Sequence, residues 1–266
     1  MDRHVEPRAI GRPMPDRNKP LFAISNGISG LAVETPLAVE INGVPVGTLI
    51  CTQESLEELV IGWSYGHGFL ETRSDIDRFR VQHNRASLML RRSLPGGHAW
   101  REQLNAGFDG GSVVRPPSPT GATPPPRDEF VLDARFVLAL AAELFQRFSS
   151  QPGDAELHHV AASDGRAVMV GARDISRHNA FDKLVGWSLL SGTPLAELVV
   201  AIDGEIGAST AHKAIRAGAR LLICTGKPTA QAVRLAQSAG LTLIGRALGD
   251  DRTIFTHPWR IDRSAK

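Results

Sequence analysis

The sequence predicts an α/β fold, a mixed sheet covered by helices with a smaller α+β part at its N-terminal end, on three observations. From Leu198 onward the apolar runs LVVAID, LLICT and LTLIGRA alternate with helical stretches, the pattern of a sheet with helices packed on it. Asn42-Gly43 separates two alternating runs, LAVEI and VPVGTLI, and that dipeptide favours the tight turn of a hairpin. Between the two patterns, residues 109–127 hold six prolines among glycines and small residues, a composition that cannot offset the entropy of ordering by packing. The expected division is a mobile arm over 1–20, the α+β part over 21–108, a linker or loop over 109–127 and the α/β part over 128–266.

In order along the chain, Ser55 and Glu58 have capping-box spacing ahead of LEELVIGWSYG, which predicts a helix. IDRFRVQ and RASLML alternate on either side of His83-Asn84 and predict two strands. FVLDARFVLALAAELFQRF predicts a long helix, and ELHHVAAS and RAVMVGARD predict strands joined at Asp164-Gly165. A helix beginning near His178 follows. Strand LVVAID, a helix through HKAIRAG, strand LLICT, a helix begun by Pro228 and ended near Gly240, and strand LTLIGRA complete the pattern.

Composition excludes several classes of function. A formal charge of +2 gives no electrostatic reason to bind nucleic acid or an acidic membrane surface. No apolar run approaches the roughly 20 residues that span a bilayer, and MDRHVEPRAIGRPMPDRNKP lacks the apolar core of a signal peptide, so a cytoplasmic protein is expected. The two cysteines, Cys51 and Cys224, have no Cys-x-x-Cys spacing and offer neither a disulfide framework nor a zinc site.

The most informative stretch is RDISRHNAFDKLVG (173–186). On a helix, His178, Asn179, Asp182, Lys183 and Gly186 share one face, while Phe181, Leu184, Val185 and Ser188 share the opposite one. The apolar face packs. The polar face, with i,i+4 pairs and a glycine, is expected to be open to an anionic ligand.

That segment occurs together with ETPLAVEINGVPVGTLICTQESLEELVIGWSYGHGF (34–69), GKPTAQAVRLAQSAGLTLIGRA (226–247) and IFTHPWRI (254–261). In combination these resemble the FdhD family, the accessory sulfurtransferases for formate dehydrogenases, over roughly residues 31–261. The resemblance implies a cytidine-deaminase-like fold for the C-terminal half. It also implies binding of the Mo-bis(molybdopterin guanine dinucleotide) cofactor as cargo, with GDP as an analogue of its nucleotide ends. Implied partners are a formate dehydrogenase or related molybdoenzyme, a cysteine desulfurase and a second copy of the chain in a homodimer. The family carries sulfur on a Cys-Gly-x-Cys-Gly loop. The matching stretch here reads NAGFDGGSV (105–113), without cysteine, and neither Asp109 nor Ser112 can hold a persulfide.

Arg177, His178, Asn179 and Lys183 are therefore expected near anionic groups of the cofactor. Phe255, Thr256, His257, Pro258, Trp259 and Arg260 are expected at a guanosine end, Arg260 on a phosphate and the aromatic rings stacked. Cys224 ends a strand just before TGKPT opens a helix. It is either a relocated sulfur carrier, exposed and ionised beside Lys227, or a small apolar residue finishing a buried strand. Cys51 has no adjacent basic residue and is the weaker candidate. His158 and His159, consecutive on a strand, point to opposite faces and make poor joint metal ligands. The zinc-deaminase pattern lacks its Pro-Cys-x-x-Cys element. Gly226-Lys227 lacks the spacing of a phosphate loop. No metal is expected. Three functions remain open: a cofactor holder, an active sulfurtransferase using Cys224, and a non-catalytic regulatory paralogue.

Overall fold

The computed structural model describes residues 31–94, 130–148 and 156–264; the expected arm, the proline-rich segment and the 105–113 loop lie outside them. Strands β1 (Thr35–Ile41) and β2 (Val44–Cys51) form the expected hairpin. Asn42 (φ 51°) and Gly43 (φ 77°) are both left-handed, as a type I′ turn requires. The Asn42 side chain does more than turn the chain. It donates to the Arg92 carbonyl at 2.9 Å and accepts from the Leu90 amide at 2.6 Å, and so ties the hairpin to its neighbouring strand.

β3 (Ile76–Gln82) and β4 (Arg85–Leu90) complete a four-stranded sheet of order β2-β1-β4-β3, with β1 and β4 parallel. Its inner face carries Leu37, Val39, Ile41, Ala86 and Leu88. These pack on Leu59, Val60 and Trp63 of helix α1 (Leu56–Gly66). The helix stands where expected, but its start differs. Ser55 is left-handed (φ 51°) and its hydroxyl makes no capping bond, so the capping box is not formed. Tertiary packing of a helix buried on most sides supplies the stability instead.

After β5 (Leu132–Asp133) and α2 (Ala134–Phe148), β6 (His158–Ser163) and β7 (Val168–Asp174) form the second expected hairpin. Helix α3 (Arg177–Ser191) follows, then β8 (Val199–Ile202), α4 (Ala208–Arg216), β9 (Leu221–Cys224), α5 (Ala230–Ala239) and β10 (Thr242–Gly245). With β11 (Thr253–Ile254) they build a six-stranded sheet of order β11-β10-β9-β8-β6-β7. β8, β9 and β10 run parallel, whereas β6 is antiparallel to both of its neighbours. β12 (Ile261–Asp262) pairs separately with β5.

The continuous apolar runs of β8 and β9 follow from burial on both faces. Val200, Ile202, Leu222 and Cys224 face α3, α4 and α5, whereas Val199, Ala201, Leu221 and Ile223 face Val137, Leu140 and Phe145 of α2. The structure is thus the expected α/β arrangement, a mixed sheet between helical layers. The N-terminal sheet is joined to it through the contact of α1 with α3.

Candidate functional site

Because β7, β8 and β9 run the same way, the helices that follow them, α3, α4 and α5, all begin at one edge of the large sheet. This is where an open α/β sheet places ligands, in the crevice outside the strand carboxyl ends. Asp203 leaves β8 into Gly204, a left-handed residue (φ 66°). The Arg177 guanidinium lies against Gly204 so closely that a Cβ there would overlap it. Arg177 donates from Nη1 to the Glu205 carbonyl at 2.8 Å, and its guanidinium lies 3.7 Å from the Glu205 carboxylate and 4.0 Å from Asp203. Its Nε is buried without a hydrogen-bond partner among the described residues.

The next loop is equally tight. Gly226 donates its amide to the Gly204 carbonyl at 2.7 Å, and the Thr225 hydroxyl accepts the Gly204 amide at 2.7 Å. A Cβ on Gly226 would strike the Gly204 backbone. On the other side His158 Nδ1 lies 3.0 Å from Asp203 Oδ1, and the His159 amide donates to Oδ2 at 3.1 Å. Burial pushes the Asp203 carboxyl up, but the bonds from His159 and His158 outweigh it and hold the group below its ordinary range. The edge therefore presents Arg177 and His158 around an ionised Asp203, with His178 near both, and its glycines let the guanidinium and the two loops close onto one another. Asp203, Thr225 and the Gly204/Gly226 contact escaped the sequence reading as a cleft. An acid and a glycine following an apolar parallel strand would have pointed to them.

The polar stripe of α3 is the main correction. Only Arg177 and His178, in its first turn, reach the edge; Asn179, Asp182 and Lys183 are buried, at 7%, 1% and 1% exposure. Lys183 places Nζ 2.7 Å from Asp174 and donates to Thr52 Oγ1 at 2.7 Å and the Arg173 carbonyl at 2.8 Å, which uses its three protons. Asn179 bridges the Ile50 carbonyl and Asp174. Asp182 pairs with Lys213 of α4 at 2.5 Å. The expected i,i+4 pairs give way to pairs with other elements, with Asp174 of β7, with Ile50 and Thr52 at the end of β2 and with Lys213 of α4, because this face meets protein, not solvent. Gly186 does permit close approach, but of a protein backbone: a Cβ there would overlap the Glu58 carbonyl, and one on Gly62 the Asp182 carbonyl.

The 255–260 segment is divided by the sheet. β11 pairs antiparallel to β10, so the chain runs from the carboxyl edge back toward the amino edge. Phe255 stays near the cleft loops, its ring against the Cβ position of Gly245, where Pro228 and the Gly226 carbonyl also converge. Thr256 bonds the Leu241 carbonyl and the Leu243 amide, and buried His257 (φ 49°) sets Nε2 3.1 Å from the Ala236 carbonyl. Pro258 is exposed, and Trp259 stands edge-on to His257. Arg260, expected on a phosphate, is 2% exposed and donates to the Gly240 carbonyl and Thr242 Oγ1. It caps the end of α5 from inside the protein. The length of β10 thus separates Arg260 from Arg177.

Cys224 resolves to the apolar alternative. It faces the helical layer, fully buried, and burial pushes its thiol up to about 12. Cys51 is likewise buried, its thiol pushed up to about 11, first by burial and then by Asp174. Neither is a thiolate at neutral pH. No cluster of three or more metal-ligating side chains occurs among the described residues.

The matched segments and this architecture meet in the comparisons with known proteins. The FdhD/NarQ family model matches residues 32–262. The chain belongs to the FdhD/NarQ family. Similar FdhD proteins, each named sulfur carrier protein FdhD, come from Bacillus subtilis (strain 168), 26% identical over 87% of this chain and 90% of that one, and from Variovorax paradoxus (strain S110), 29% identical over 87% and 86%. A third, from Xanthomonas euvesicatoria pv. vesicatoria (strain 85-10), is 30% identical over 87% and 85%. Among solved structures, a formate dehydrogenase accessory protein from Desulfotalea psychrophila superposes with a TM-score of 0.68 over 87% of this chain and 90% of that one, at 21% identity. That likeness establishes an FdhD-type fold. No helix among the described residues is long and apolar enough to cross a membrane.

One consequence of the site's burial concerns acid. His67 and His178 are both held down to about 4, first by burial and then by the Lys213 ammonium. Unfolded histidine titrates near 6.5, so between these values the unfolded chain binds more protons and stability falls as pH falls. Melting temperatures measured from pH 7 to 4 should decline across that window. The decline should flatten in a His67→Gln/His178→Gln variant.

Proposed function

We propose that this chain is an accessory protein in the maturation of a molybdenum-dependent formate dehydrogenase, and that it holds the Mo-bis(molybdopterin guanine dinucleotide) cargo without carrying sulfur on its own cysteines. Family membership and the names of its relatives support the accessory role. The state of the thiols carries the choice of holder over carrier. A persulfide relay needs an accessible thiolate, and both cysteines of the chain are buried and protonated. For the cargo, the carboxyl-edge cleft supplies the fitting chemistry. Arg177 brings a guanidinium charge to the edge, and three helix N-termini favour negative charge beside it.

Incubation with a cysteine desulfurase and cysteine should leave the intact mass of the chain unchanged, while GDP binds in a calorimetric titration. Arg177→Ala should weaken GDP by roughly tenfold or more, as expected for a charge-assisted hydrogen bond in a partly enclosed site. A persulfide formed in good yield and lost in Cys224→Ser would establish the sulfurtransferase reading instead. Absence of GDP binding by the folded protein would remove the cleft assignment.

A further inference from the structure

The outer face of the four-stranded sheet, opposite the face that packs on α1, carries a groove of about 550 Å³ lined by Ala38, Arg80, Gln82, His83, Arg85 and Ser87, together with Asn84. Its shape follows from register. Ala38 lies beside Arg85, Arg85 beside Gln82, and Arg80 beside Ser87, so the small side chains of Ala38 and Ser87 form a floor between long polar walls. The volume falls in the range of small-molecule sites.

Two observations give the groove a chemistry. It is cationic: Arg80 has no hydrogen-bond or ion-pair partner among the described residues, and Arg85 has only a 4.0 Å contact with Glu40, its side chain 72% exposed. Two guanidinium groups on adjacent strands suit the bidentate recognition of a phosphate. The second observation is His83. It closes one end of the groove in the left-handed region (φ 53°), although Asn84, the residue type that tolerates that region better, stands beside it. His83 and Asn84 also border a second cavity of about 290 Å³ on the far side of the turn, with Leu37 and Leu56 in its wall. The histidine ring thus borders both cavities.

We propose that this groove binds a small planar molecule bearing a phosphate, the phosphate between Arg80 and Arg85 and the flat body over Ala38 and Ser87 against His83. The site is independent of the cofactor reading. Its test uses the full chain with phenyl phosphate and inorganic phosphate as probes, followed by calorimetry. Phenyl phosphate should bind saturably, roughly tenfold or more tighter than inorganic phosphate, and weaken by a similar factor in Arg80→Ala and in Arg85→Ala. His83→Asn should keep or raise the melting temperature, since asparagine suits the turn, and still weaken phenyl phosphate. Arg177→Ala should leave phenyl phosphate binding unchanged. No saturable binding at millimolar probe, equal affinity in Arg80→Ala and wild type, or loss of binding in Arg177→Ala would overturn the assignment.

Discussion

Gly186→Ala should lower the melting temperature by about 10 °C or more, an effect that only Gly62→Ala, on the facing helix, should rival among the described glycines. The α1–α3 contact has backbone against backbone. The Cβ of the variant would overlap the Glu58 carbonyl, and neither partner is a flexible side chain able to move aside. The helices must separate, which strains Leu59, Val60 and Ile61 on one side and Phe181 and Leu184 on the other, all fully buried. Overpacking of this kind costs upward of about 3 kcal/mol, and each kcal/mol shifts the melting temperature of a chain this size by about 2–4 °C. Thermal unfolding followed by circular dichroism checks it. An unchanged melting temperature would mean that the two helices are not in this contact.

Lys183→Met should be nearly as damaging, through charge. Methionine fills much of the lysine's volume but leaves Asp174, 0% exposed, facing Thr52 and Asn179 without its cation. Removing one partner of a buried pair costs about 3–5 kcal/mol. Adding Asp174→Asn should restore part of the loss, because no net charge then remains inside. Chemical denaturation of the two variants and wild type measures both steps. The same pair of variants separates a structural from a ligand-binding lysine. A lysine on an open ligand face would leave stability near wild type and change only affinity.

Much of the fold is legible in the sequence because its signals are local. Asn42-Gly43 needs only the two left-handed residues of its turn to place β1 and β2. The apolar runs of β8, β9 and β10 with their intervening helices need only period and length, and Gly240 stops α5 by adopting the left-handed conformation (φ 76°). The capping reading of Ser55 failed for a related reason. A cap is read from residue types, yet whether the hydroxyl can reach back depends on how the chain enters the helix, and Ser55 enters left-handed.

The site was less legible. Periodicity shows that Asn179, Asp182, Lys183 and Gly186 share a face, but not what that face meets. α1, more than a hundred residues earlier in the sequence, covers part of it, and Asp174 of β7 and Lys213 of α4 take up its charges, so that an expected ligand surface is a buried interface. Likewise the sequence shows an arginine and two rings in IFTHPWRI but not that β11 turns the chain antiparallel along β10, which carries Arg260 to the opposite edge from Arg177. From the residues alone came the family, the order of the main strands and helices without the short β5, β11 and β12, and a 105–113 stretch without cysteine. Which polar groups are sealed depends on packing, because desolvation is set by neighbours distant in the chain. For Cys51 and Cys224 those neighbours exclude water and keep the thiols protonated, while at the carboxyl edge they leave Arg177, His158 and Asp203 together where three helices begin.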